Sequence, residues 1–127
     1  MPALQPFSYA TVRIVPRVER EEFVNAGVVL FCDVLGYLEA RFALGEARLL
    51  ALAPDVDVAV VRRHLGALAG VCAGGAAAGP LAEMPPRERW RWIVAPRSTI
   101  LQTSAPHTGL CADPARELER LVARQCG

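Results

Sequence analysis

Two polar stretches, far apart in the chain, hold the side chains best suited to binding or catalysis. The later one runs Arg97-Ser98-Thr99, then Gln102-Thr103-Ser104, then His107-Thr108-Gly109 after Pro106. Donors and acceptors this dense, between prolines and a glycine, suit recognition of an anion or of an extended peptide backbone. Serine and threonine in such places also satisfy the backbone of turns, which is the plainer explanation. The earlier stretch holds Arg13 and then Glu21, Glu22 and Asn25, just ahead of Gly27. Adjacent carboxylates can exchange protons or hold a divalent cation, but on a short link they more often face water.

His107 is the weak candidate for a catalytic base, facing Ser98, Thr108 or Cys111, although no third member completes a triad. His107 and Cys111 have helical ligand spacing, but zinc needs four ligands, or three and a water, and no spacing supplies the others. The reading is therefore no metal and no cofactor. His64 lies on an expected helix among apolar residues and reads as structural. Arg87, Arg89 and Arg91 interleave with Trp90 and Trp92 in the manner of a basic-aromatic nucleic-acid patch. Neighbouring glutamates offset that charge, so nucleic acid is not expected as a partner. Nucleotide-loop, metalloprotease and serine-hydrolase motifs are all missing.

The elements that must position these groups follow from patterning. Phe7 to Val15, Val24 to Cys32 and Leu38 to Phe42 are rich in β-branched and aromatic residues and read as a three-stranded meander. Neither face of the first strand is cleanly polar, so it should be central or covered on both sides. In the second, Val24, Ala26, Val28, Leu30 and Cys32 would share a face, and Gly27 signals a bulge or a close backbone approach. Glu46 to Leu52 reads as a short helix. Asp55 is the expected cap of the next, whose apolar positions are Val58, Val61, Leu65, Leu68 and Cys72 and which stops at Gly74 and Gly75. Gly74 to Pro80 is the small-residue connector expected to be most flexible. Pro86 to Val94 is assigned as helix over strand, Ser98 to Ser104 as a fourth strand, and Asp113-Pro114 opens a last helix reaching about Gln125.

The 127 residues form one domain, 1–127, of α+β class: a small antiparallel sheet of about four strands with helices packed on it. A formal charge of +1 gives no electrostatic case for nucleic acid, membrane or acidic partners. All 14 basic residues are arginine, as a GC-rich genome would produce. With no export signal and no long apolar run, the expected location is cytoplasmic, with Cys32, Cys72, Cys111 and Cys126 as reduced thiols. A homodimer is left open.

Tyr9-x-x-Val12-Arg13, Glu22-Phe23-Val24-Asn25-x-Gly27-Val28-x-Leu30-Phe31 and Arg97-Ser98-Thr99-x-x-Gln102 with His107-Thr108-Gly109 resemble a bacterial domain-of-unknown-function family (number 3037). The resemblance covers nearly the whole chain and brings no established activity. Its members are often encoded beside a HipA-like kinase, which implies a non-enzymatic accessory or regulatory protein binding that kinase or its substrate. The contact surface would carry Arg13, Glu22, Asn25, Arg97, Ser98, Gln102, His107 and Thr108. The alternative is a small hydrolase or transferase acting on a phosphate-containing substrate, clamped by Arg13 and Arg97 with His107 as base. Both require the two polar stretches to meet.

Overall fold

A computed structural model describes residues 3–75 and 79–127. Met1 and Pro2, and the middle of the Gly74–Pro80 connector, lie outside the described residues.

The chain forms β1 (Gln5–Ile14), β2 (Val24–Cys32), β3 (Tyr37–Phe42), α1 (Glu46–Leu52), α2 (Val58–Ala73), α3 (Pro86–Val94), β4 (Leu101–Thr103), β5 (His107–Cys111) and α4 (Pro114–Cys126). The class is α+β, as its patterning indicates. β1 is the centre. It pairs antiparallel with β2 along one side, while β5 and β4 share its other side, β5 against Gln5–Tyr9 and β4 against Val12–Ile14. β3 extends the sheet beyond β2. The sheet therefore has five strands where four were expected. His107 to Cys111, polar and glycine-containing, reads as a loop, yet it is held extended by the ladder to β1.

Helices cover both faces of the sheet. Ala10, Val12 and Ile14 of β1 join Leu49 of α1, Val61, Leu65 and Leu68 of α2, and Trp90 and Ile93 of α3 in one core. Phe7, Val28, Leu30 and Cys32 pack with Leu118 and Leu121 of α4 in the other. This explains why β1 shows no polar face. β2 departs from simple alternation, because the ladder to β1 shifts between Val12 and Arg13, where Gly27 and Asn25 are the successive partners and Ala26 is the extra residue. Such a bulge reverses the phase of everything beyond it. Ala26 thus faces the α1–α3 core with Val29 and Phe31, while Val28, Leu30 and Cys32 face α4, against the single face expected for Val24 to Cys32. Gly27 is also a close approach: a Cβ there would lie 2.3 Å from the Arg41 carbonyl oxygen.

Asp57, not Asp55, caps α2, its Oδ1 accepting from the amides of Ala59 and Val60. Asp55 instead meets Arg17 at 3.8 Å. The expected fourth strand shrinks to Leu101–Thr103. Ser104 then breaks the edge and is buried: its Oγ accepts from the Thr11 amide at 2.9 Å, and its own amide donates to the Thr11 carbonyl at 2.9 Å. A side-chain oxygen there replaces one link of the ladder. Among the described residues no helix is long and apolar enough to cross a membrane.

Candidate functional site

Arg13 is where the two polar stretches meet. Its register partners are Asn25 on β2 and Gln102 on β4, so Asn25, Arg13 and Gln102 form a row across three strands. All three lie on the α4 side. That helix packs chiefly on β2 and β3, which leaves the outer half of this face, β1 with β4, only partly covered. A cavity of about 330 Å³ opens there, lined by Arg13, Glu21, Phe23, Arg97, Ser98 and Gln102 among others.

The Arg13 guanidinium is half-buried and lies 4.2 Å above the centre of the Phe23 ring. Its Nε is buried and unpartnered, and among the described residues the side chain makes no hydrogen bond or ion pair. Asn25 Oδ1 is likewise buried and unpartnered, while Asn25 Nδ2 donates to the Gln125 carbonyl at 3.0 Å, near the end of α4. An unsatisfied donor and acceptor on facing residues fit one bridging water. That would still leave the positive charge of Arg13 without a counter-ion in a partly desolvated place, which costs free energy unless an anion arrives.

The other walls have fixed roles. Arg97 lies 4.1 Å over the Trp92 ring and donates to the Trp92 carbonyl. Gln102 Nε2 donates to the Thr99 carbonyl at 2.8 Å, so one of its two N–H groups shapes the loop. Ser98 is exposed, with its hydroxyl unbonded among the described residues.

Of the residues expected to share a surface, Arg13, Asn25, Arg97, Ser98 and Gln102 come together. Glu22 does not: it is ion-paired with Arg20 and lines a separate cavity with Pro16 and Ala53. Glu21 takes its place at the rim, in a left-handed conformation (φ 56°) that ends a short 3-10 turn, Val18–Arg20. His107 and Thr108 sit toward the other end of β1, opposite Tyr9 and Ser8, with His107 against the Tyr9 ring at 5.2 Å. Tyr9 and Arg13 are four residues apart on one strand, about 13 Å. Ser104, expected in the same loop, is taken into the sheet. Phe23 was the residue that sequence reasoning overlooked, although its place between Glu22 and Val24, beside the strand that faces Arg13, was the available signal.

The remaining motifs resolve into structural roles. Arg89 is 8% exposed and donates to the carbonyls of Met84, Val71 and Cys72 at 2.7–2.8 Å, closing the end of α2. Arg87 pairs with Asp33 and Arg91 with Glu88, so the apparent basic-aromatic patch is divided between core and surface. His64 is exposed, not enclosed, and stands at an apolar cavity with Leu68, Trp92 and Leu101. Burial pushes the Cys72 thiol up to about 12, and raises Cys111 and Cys126 as well. Each of these thiols is thereby harder to ionise than a free one. Among the described residues no three His, Cys, Asp or Glu side chains gather to hold a metal.

No curated protein and no solved structure matches the chain. The family described as "Protein of unknown function (DUF3037)" matches residues 9–126, a span that holds β2 through β5, both polar stretches and the whole Arg13 cavity. With nearly its full length matched, the chain belongs to the DUF3037 family.

Proposed function

We propose that this protein is a non-enzymatic accessory module whose Arg13 cavity receives an anionic group, a phosphate or a carboxylate, presented by a partner protein. The observation that carries the reading is the half-buried Arg13 charge, stacked on Phe23 and without an acid or carbonyl partner among the described residues. Arginine in that setting binds planar or tetrahedral oxyanions through its fork of donors, with Ser98 adding a hydroxyl. Arg97 supplies a second positive charge at the wall. The partner class proposed is the HipA-like kinase, or that kinase's substrate, which the family resemblance implies; phosphorylated side chains are among the anions such a partner would offer.

The enzymatic alternative has less support. His107 lies about 13 Å along the sheet from Arg13, beyond the reach of a base acting on a group held there.

Calorimetric titration with inorganic phosphate and with acetate, compared between the natural chain and Arg13→Ala, tests the binding step. Saturable binding weakened at least about tenfold by the substitution is expected, which corresponds to about 1.4 kcal/mol. Binding of neither anion, or equal binding by both proteins, would refute it. Co-purification with the kinase-like protein, lost on Arg13→Ala, tests the partner.

A further inference from the structure

The sheet has two free edges, and they are not alike. β3 ends one side with Glu39 and Arg41 exposed, the charged side chains that discourage a passing strand. On the other side β4 is partly closed by its own loop, since the Thr99 hydroxyl donates to the Leu101 carbonyl at 2.8 Å. The Ser104–Pro106 break follows. β5 has none of these protections. It carries no charged residue, and Leu110 at its outer part is 62% exposed, as is neighbouring Leu4.

Thr11 bonds Ser104 through both its amide and its carbonyl, and the Val15 amide donates to Ile100 on the same side. Alternation along an antiparallel strand then turns Gln5, Phe7 and Tyr9 toward Cys111, Gly109 and His107. The amides and carbonyls of Thr108 and Leu110 are left pointing outward, on the side where β5 has no strand partner among the described residues.

We infer that this chain pairs with a second copy of itself along the outer edge of β5, antiparallel and with the twofold axis at Gly109. In that register Thr108 of one copy lies opposite Leu110 of the other. The two pairs exchange both of their bonds, giving four hydrogen bonds from the outward groups alone. Gly109 faces its own counterpart in the narrow, non-bonded position, where Cα atoms approach to about 4.5 Å and side chains crowd most. Glycine leaves that position clear. It is required within the monomer too, since a Cβ at Gly109 would lie 2.8 Å from the Phe7 ring. A five-residue strand with glycine at its middle and outward groups on the residues either side is self-complementary about a dyad, which favours a second copy over an unrelated strand. Charge does not oppose it: β5 is neutral, and the flanking surface of α4 mixes Asp113 and Glu117 with Arg116 and Arg120. Dimerisation uses the outer edge of β5, which flanks the first half of β1, while the Arg13 cavity lies at the second half, so the pairing and the anion site are independent.

Sedimentation velocity at about 100 µM should give twice the 13.7 kDa chain mass, and Leu110→Lys should return the mass to that of one chain with an unchanged circular dichroism spectrum. Hydrogen exchange gives a second readout. The Thr108 and Leu110 amides should slow at least tenfold between dilute and concentrated natural protein, and not in Leu110→Lys. A monomer at that concentration would overturn the inference. So would a dimer that survives Leu110→Lys while those two amides exchange as fast as in dilute solution.

Discussion

Replacing Arg89 by alanine should destabilise the protein far more than any other arginine substitution in the α3 segment. The side chain lies almost fully out of water and gives three hydrogen bonds, at 2.8 Å to Met84, 2.8 Å to Val71 and 2.7 Å to Cys72. Two of those carbonyls belong to the last turn of α2, where the helix leaves its acceptors unpaired and its dipole favours a cation. Hydrogen bonds from a charged donor contribute about 1.5–3 kcal/mol each, and an orphaned buried acceptor costs about 1–3. Alanine also recovers the desolvation cost of the buried charge and lets some water reach the carbonyls. The net loss therefore falls somewhat below the roughly 4.5 kcal/mol low end for three such bonds, at about 3–4 kcal/mol. For a domain of this size that lowers Tm by roughly 10–15 °C. Arg87→Ala, which breaks only the exposed pair with Asp33, should change stability by less than about 1 kcal/mol. Thermal and urea unfolding of both variants gives the comparison. If Arg89→Ala unfolds within about 1 kcal/mol of the natural chain, Arg89 is not the clamp that closes α2, and its buried bonds contribute little net free energy.

Two further outcomes follow from buried groups. Ser104→Ala removes the oxygen that accepts from the Thr11 amide and should cost about 1–3 kcal/mol in urea melts, with Ser104→Thr restoring part of it. Cys72 has its thiol pushed from 9.0 to about 12 by burial, with Arg89 opposing the shift. Because the folded value is the higher one, the folded state holds more protons between those limits. The Cys72 contribution to stability should be constant below about pH 9 and be lost as pH rises toward about 12, and Cys72→Ala should make the decline shallower in unfolding curves taken across the window.

The elements legible in the sequence were those whose own residues pay no attention to distant partners. α1 and α4 have the expected bounds because Glu46 to Leu52 and Asp113-Pro114 carry local helix signals, and α3 follows from Pro86 at a first turn. β2 shows the limit. Gly27 announced a bulge, but alternation cannot say on which side of the bulge the phase changes, and the faces of Val28, Leu30 and Cys32 were reversed in consequence. β5 was hidden for another reason. His-Thr-Gly-Leu-Cys has little strand propensity of its own, and only β1, a hundred residues earlier, keeps it extended. Asp55 and Asp57 are two equally good caps two residues apart, and the choice belongs to how α2 docks its Val61 and Leu65 face.

The same distinction governs the site. Arg13, Asn25 and Gln102 were recognisable as polar residues in strand-like surroundings, but only the ladders on either side of β1 make them neighbours. Their cavity exists because the two strands on β1's outer side are short. β4 ends at Thr103, Ser104 turns inward, and α4 lies over β2 and β3, so the Arg13 end of that face is covered only in part, by Phe23 and the loop residues around it. His107 was linked to the same site by sequence proximity to Gln102, yet the Ser104–Pro106 break carries the chain along β1 instead of around Arg13. A break in one edge strand thus separates one expected surface into two. One half keeps a half-buried positive charge at Arg13, and the other presents the outer backbone edge of β5.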